Sequence, residues 1–225
     1  MAEELIKYEI DSNVEAFSTT KGAVLPYDII LGDQVHDIRT TVIKSPFPDP
    51  EILRGTDALI TNLKGVAIGV RTADCIPILL YDPQKQVIAA IHAGWKGTLR
   101  RIVNSAISQM RVEYGSVPKN LKAVIGPGIQ KNSFQVGEEV AFCFKDLGFP
   151  VEKVYSWNGP KIPGNATTGH HIDLVAANIW LLQSDGVDIA NIQVSKLDTF
   201  TEPFLYSARR EGIDCGRMVT SIKLL

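Results

Sequence analysis

The chain has 225 residues, 45% hydrophobic and 21% charged, with a formal net charge of −2. That length can bury a sizeable core as one large α/β domain or two small ones, and the composition is that of an ordinary globular protein. A nearly balanced charge excludes the broad electrostatic footprint that nucleic acid or an anionic lipid surface needs, so neither is expected as a partner. No apolar run approaches bilayer-spanning length, and the opening MAEELIKYEI is too polar for a secretory signal. Three cysteines without close spacing do not make a disulfide framework. The expectation is a cytoplasmic protein.

Residues 5–10 and 14–18 read as short strands around an Asp11-Ser12-Asn13 turn. The segment Phe17-Ser18-Thr19-Thr20-Lys21-Gly22 leads into a loop, and the stretch from Ile29 to His36 places a histidine near a strand end. A lone histidine in such a place is ordinarily a surface or hydrogen-bonded residue. Ser45-Pro46-Phe47-Pro48-Asp49-Pro50 can continue neither strand nor helix and marks an exposed loop. Residues 56–61 (TDALIT) form a further short strand.

The most informative stretch is 66–97, VAIGVRTADCIPILLYDPQKQVIAAIHAGWKG. Runs 66–70, 76–80 and 87–91 are dense in β-branched and apolar residues and read as buried strands, with a turn at Asp82-Pro83. Cys75, after Asp74, and His92, after Ala89-Ala90-Ile91, are residues that packing alone would not choose. A thiolate and an imidazole at the ends of neighbouring buried strands supply most of a zinc site. Ala93, Gly94 and Gly97 leave room for other groups to approach the backbone there.

After Gly97 the period changes. Leu99, Ile102, Val103, Ala106, Ile107 and Met110 make one apolar helix face, capped by Gly97 or Thr98 and stopped by Gly115. The helix N-terminus would lie near His92 and favour an anion, although HAGWKG also reads simply as a tight strand-to-helix connection. Residues 121–125 read as a buried strand closed by Gly126-Pro127-Gly128. A second helix runs from Glu138 to Leu147 with Val140, Cys143, Phe144 and Leu147 on its apolar face, which makes Cys143 a core residue rather than a ligand. Residues 159–169 form a flexible Gly/Pro/Thr loop. His170 and His171 are adjacent, so on a strand they point to opposite faces and rarely serve one ion. Asp173 caps a helix over 174–184 that Gly186 ends, and 189–197 is a further strand. Arg209, Arg210 and Arg217 in the tail are either solvated and ion-paired or hold a phosphate. No repeat or linker divides the chain, so residues 1–225 are read as a single domain.

The blocks Gln34-Val35-His36, Thr72-Ala73-Asp74-Cys75-Ile76-Pro77 and His92-Ala93-Gly94-Trp95-Lys96-Gly97 together closely resemble one family. It was first labelled multicopper polyphenol oxidoreductase, or laccase-like, and later read as purine nucleoside phosphorylases with adenosine deaminase activity. Ile125-Gly126-Pro127-Gly128-Ile129, Phe134-Gln135-Val136-Gly137, His171-Ile172-Asp173-Leu174 and Ser207-Ala208-Arg209-Arg210 extend the likeness over nearly the whole chain. The resemblance implies a compact α/β domain with mixed β-sheet layers flanked by helices. It implies zinc held by His36, Cys75 and His92 with one position open, copper being an alternative occupant. The implied substrates are phosphate and a small-molecule nucleoside (adenosine, inosine or methylthioadenosine), turned over by a monomer or small homo-oligomer. Arg71, Lys21, Arg209 and Arg210 are candidates to neutralise phosphate, Gln34 to bind substrate, and Asp74 to move protons or orient the metal site.

The chain also departs from its family. Lys21 stands where an arginine is usual, roughly twenty residues between Val24 and Gly32 are missing against ordinary loop lengths, and Asp198-Thr199 replaces the common Cys-Thr. Losing an arginine fork should weaken phosphate binding. Two other readings compete with a phosphorylase. A copper oxidase of phenols needs a type-1 copper and a trinuclear cluster, which four histidines do not supply. A metal-stabilised fold with weakened catalysis is the other.

Overall fold

The computed structural model describes residues 5–157, 159 and 169–225. The chain begins with the antiparallel pair β1 (Leu5–Lys7) and β2 (Val14–Thr19), then β3 (Ile30–Leu31), β4 (Thr40–Val42) and the single turn α1 (Pro50–Leu53). Four strands carry the centre: β5 (Ala58–Thr61), β6 (Ala67–Thr72), β7 (Ile76–Asp82) and β8 (Val87–Ala93). Helices α2 (Trp95–Leu99) and α3 (Ile102–Tyr114) lead to β9 (Lys122–Ile125), α4 (Glu138–Asp146) and α5 (Val151–Val154). A small pair, β10 (Tyr155–Ser156) and β11 (His171–Ile172), precedes α6 (Leu174–Ser184), β12 (Ile192–Val194), α7 (Ala208–Glu211) and β13 (Met218–Leu224).

The strands form two large mixed sheets, ordered β1-β2-β13-β6-β3 and β12-β9-β7-β8-β5-β4. Every residue of β7 and β8 is buried, because their sheet is covered on both sides. Ile76, Ile78, Leu80, Ala89 and Ile91 pack with the helix residues Ile102, Val103, Ala106 and Leu181. The alternate residues Leu79, Tyr81, Ile88 and Ala90 pack with Val14, Ile68, Val70 and Ile222 of the other sheet. The result is a three-layer stack of sheet, sheet and helices. A strand buried on both faces has no polar side to show, which is why these runs are continuously apolar rather than alternating.

Runs 66–70 and 76–80 are contiguous in sequence yet fall in different sheets. The chain crosses from one layer to the other at Ala73-Asp74-Cys75, and Asp74 takes a positive φ of 87° to make the turn. Cys75 therefore sits at the seam between the layers.

Several local expectations change. The helix expected from Leu99 begins a turn earlier, with Gly94 as its N-cap, and breaks at Arg101, which adopts φ 63°. Packing against α6 accounts for the break: the Arg101 guanidinium lies 5.1 Å from the Trp180 ring and 5.5 Å from Phe149. The Asn178 amide donates to Thr98 Oγ1 at 3.1 Å on the other side of the break. Gly115 ends α3 in the left-handed conformation, as expected. Cys143 is exposed rather than core, because α4 buries the face of Ala141 and Phe144 instead. The strand expected over 189–197 shortens to β12, since Asp188 caps a 3-10 turn at Ile189–Asn191. Asp173 caps α6 as expected, accepting from the Ala176 amide at 2.8 Å. The flexible loop expected over 159–169 lies outside the described residues at 160–168. No helix among the described residues is long and apolar enough to cross a membrane.

Leu79 is fully buried between the two sheets. Truncation there leaves a cavity that neither rigid layer can close, so Leu79→Ala should cost about 2–5 kcal/mol. Urea unfolding is expected to show a lowered midpoint with an unchanged slope.

Candidate metal centre

Three elements converge at the layer seam. In the β7–β8 pairing Ile76 faces Ala93 and Pro77 faces His92, so Cys75 and His92 come out at one end of the same strand pair. His36 arrives from the loop after β3 with φ 62°. The candidate ligand atoms of His36, Cys75 and His92 all lie within 4.8 Å of one another, and the two imidazole rings meet edge to face at 4.7 Å. Among the described residues this is the one such group; His170 and His171 are not part of it. Exposure is graded, with His36 exposed, Cys75 intermediate and His92 buried, so the cluster opens on one side only.

Gly94 makes this approach possible. A Cβ there would fall 3.0 Å from Cys75 Sγ and 3.1 Å from His36 Cδ2, tighter than most real Cβ contacts, so the cysteine or the histidine would have to shift by a few tenths of an ångström. The sequence expectation that small residues after His92 admit other groups is met at this glycine. Gly128 is also closely packed behind the site, where a Cβ would fall 2.5 Å from Ile76 Cδ1 and 3.2 and 3.3 Å from the carbonyl oxygens of Asp74 and Cys75.

The electrostatics couple the three residues. Burial pushes the Cys75 thiol up, but the adjacent charge of His92 and hydrogen bonds with His36 and His92 outweigh it and bring it down to about 6. Burial pushes His92 down, and the Cys75 thiolate and the Asp57 carboxylate outweigh it and raise it to about 9. His92 Nδ1 is 2.7 Å from Asp57 Oδ1, which leaves Nε2 for the cluster. Asp57 itself is pushed up by burial and down, on balance, by the hydrogen bonds it accepts from His92 and nearby amides. A soft sulfur and two imidazole nitrogens with a free side are the donor set of a catalytic rather than a closed structural zinc site. The residues present therefore fit a metal ion.

A cavity of about 370 Å³ opens onto the cluster, walled by Gln34, Arg71, Thr72, Ala208, Ile213 and Arg217. The other expected residues are placed less directly. Gln34 uses both ends of its amide on Arg71: Nε2 donates to the Arg71 carbonyl and Oε1 accepts from the Arg71 amide, each at 2.8 Å. Asp74 Oδ1 accepts from Thr199 Oγ1 at 2.6 Å and Oδ2 from the Arg209 amide at 2.7 Å, tying the first turn of α7 to the cysteine loop. Lys21 Nζ is ion-paired with Glu211 at 2.9 Å. Arg209 Nη1 donates to the Gln135 carbonyl at 2.9 Å. The Arg210 guanidinium donates to the carbonyls of Thr199, Phe200, Glu202 and Leu205. Lys21, Arg209 and Arg210 do not line the cavity. Asp198, the departure from the family pattern, accepts from Ser133 Oγ at 2.6 Å and from the amides of Gln130 and Phe200, so it organises a loop behind the site.

Sequence reading missed Asp57. Its one signal was an acid at the head of an otherwise apolar strand, TDALIT. It also left Arg217 without a place, and no local pattern could have put Arg217 and Ile213 on the wall of a cavity formed by strands so far upstream.

The class that this fold and donor cluster define is an α/β protein with a potential His2Cys metal site, and comparison with known proteins narrows it. The profile of the family described as multi-copper polyphenol oxidoreductase laccase matches residues 7–225, and the chain belongs to that family. It is 39% identical over 203 residues to adenosine deaminase RL5 of an unknown prokaryotic organism, covering 87% of this chain and 74% of that protein. It is 35% identical over 207 residues to a purine nucleoside phosphorylase of Bacteroides thetaiotaomicron, covering 89% and 74%. The solved structure of the Bacillus licheniformis hypothetical protein YfiH superimposes with a TM-score of 0.84 and 26% identity, over 100% of this chain and 97% of that one.

The coupling of Cys75 to its histidines gives a pH signature in metal-free protein. A thiol brought down to about 6 from an ordinary 9.0 is thiolate at neutral pH, and only thiolate is nucleophilic. Iodoacetamide labelling of Cys75, followed by peptide mass spectrometry, should rise through a midpoint near 6 as pH increases. A midpoint near 9 would mean that the two histidines do not stabilise the thiolate.

Proposed function

We propose that the protein is a purine nucleoside phosphorylase with a zinc ion on His36, Cys75 and His92, and adenosine deamination as a second activity of the same site. The observation that carries the reading is the three-donor cluster facing a cavity whose wall includes Arg71 and Arg217, the Arg217 guanidinium itself donating to the carbonyls of Ile213, Cys215 and Gly216. The names of the relatives supply the substrate class, a purine nucleoside.

Zinc bound there would supply Lewis acidity at a substrate oxygen. The chain's own residues do the rest. In phosphorolysis the N-glycosidic bond breaks, a phosphate oxygen bonds to the anomeric carbon, and the purine leaves with the electron pair and gains a proton. The requirement on the protein is to hold a phosphate dianion in line with that carbon and to keep competing water out.

Arg71 is the best-placed group for phosphate. It lines the cavity, and among the described residues its guanidinium donates one hydrogen bond, from Nη2 to the Gly32 carbonyl at 3.3 Å. That leaves donors of the fork free for an oxyanion. Gln34 fixes the backbone from which Arg71 projects. Lys21, Arg209 and Arg210 act at one remove, by holding α7 and the cavity wall through Glu211, Gln135 and the carbonyls of residues 199–205. Asp74 belongs with them as a positioning residue, since both its oxygens are committed to Thr199 and Arg209. The replacement of arginine by Lys21 therefore bears on wall geometry rather than on direct phosphate contact.

Two measurements test this reading. Metal analysis of purified Cys75→Ser should show zinc lost, while Cys143→Ala, altered at an exposed helix position, keeps it; undiminished zinc in the first variant would sink the ligand assignment. In steady-state inosine phosphorolysis, Arg71→Ala should raise the phosphate KM by roughly tenfold or more, the scale of one lost charge-assisted contact, whereas Lys21→Arg should leave it nearly unchanged. Metal-replete protein that releases no base from inosine and no ammonia from adenosine would overturn the function.

A further inference from the structure

Asp57 lies one residue before β5, and its side chain is fully buried. Its carboxylate accepts four hydrogen bonds. Oδ1 takes His92 Nδ1 at 2.7 Å and the His36 amide at 3.0 Å. Oδ2 takes the Val35 amide at 3.1 Å and the Asp37 amide at 3.0 Å. The Asp57 carbonyl also accepts the His92 amide at 2.8 Å, so main chain and side chain both reach the same histidine.

We propose that Asp57 is the positioning residue of the metal centre: one carboxylate holds His36 and His92 in ligating geometry before any ion arrives. Three successive amides converging on one anion form a turn that closes around it, as nests do around phosphate. That turn holds His36 at φ 62°, a backbone region that residues other than glycine seldom adopt without such support. On the other side, the carboxylate can only accept, so it selects the His92 form with hydrogen on Nδ1 and turns Nε2 to the cluster. No other side chain of similar size does both. In Asp57→Asn, an amide oriented with its oxygen toward His36 and His92 sets its NH2 against the amides of Val35 and Asp37. The flipped amide donates to His92 Nδ1 and moves the ring hydrogen to Nε2, the ligating atom.

The metal arm of the inference rests on the ligand set proposed above; the loop arm does not, and the experiment separates them. Hydrogen–deuterium exchange on metal-free wild type should find the amides of Val35, His36 and Asp37 already protected, with little change when zinc is added. Protection that develops only with zinc would overturn the proposal, because the ion and not the carboxylate would then be ordering the loop. In zinc-loaded wild type, 15N spectra should show His92 with hydrogen on Nδ1 and Nε2 bound; the reverse arrangement would also overturn it. Chelator competition should find zinc affinity about 10–100-fold weaker in Asp57→Asn, and unchanged affinity in a folded variant counts against the proposal. If this variant does not fold, the two wild-type measurements decide alone. A wild type that takes up no zinc refutes the ligand set, and protected loop amides in that same protein still support the carboxylate clamp.

Discussion

Everything at the site depends on the antiparallel pairing of β7 and β8 in the middle of the three-layer stack. The pairing register sets Pro77 against His92 and Ile76 against Ala93, and burial on both faces makes any slip costly. A shift by one residue would turn each helix-facing side chain to the opposite sheet. Because the register is held this firmly, the strand ends present Cys75 and His92 together without either residue stabilising the pair itself. The cluster draws its rigidity from core packing that it does not provide.

The third donor is supplied differently. His36 is exposed and lies on a loop whose flanking strand has two residues, so no sheet register fixes it. Its place depends on two close fits: the missing side chain at Gly94, and the amides of residues 35–37 gathered on Asp57. One face of the centre is thus built from regular structure and the other from a loop bound to a buried anion. The exposed side of the cluster is the loop side, at His36, and the buried side is the strand side, at His92.

The positive charges of the tail are distributed in a way that composition does not anticipate. Arg209, Arg210 and Lys21 look like an anion site in sequence, but their donors are directed to carbonyls and to Glu211. Surface ion pairs such as Lys21–Glu211 add little stability; a guanidinium satisfying several loop carbonyls is a stronger constraint. These residues shape the wall through which α7 and the Asp74 turn contact each other. Arg71, the penultimate residue of β6 and exposed there, lines the cavity instead.

Local chemistry in the chain was enough to mark the buried strands at 76–80 and 87–91, the oddity of Cys75 and His92 within them, the glycine stop at Gly115 and the Asp173 cap. Each of these follows from short-range rules: continuous apolar runs, a residue type out of place, a left-handed terminus, a side chain bonding its own helix. Other features arise from contacts between segments distant in sequence. The break at Arg101 answers to Trp180 and Phe149, the exposure of Cys143 to which face of α4 meets the core, and the role of Asp57 to a loop some twenty residues earlier. β13 was passed over in sequence although it is the central strand of its sheet, because its alternation declares a strand only once β2 and β6 stand on either side. Sequence by itself marked Cys75 and His92 as residues suited to a metal and reached His36 only through the family resemblance; the tertiary structure decided that the three meet, because a donor set is a property of distances between strands and loops that no local pattern encodes.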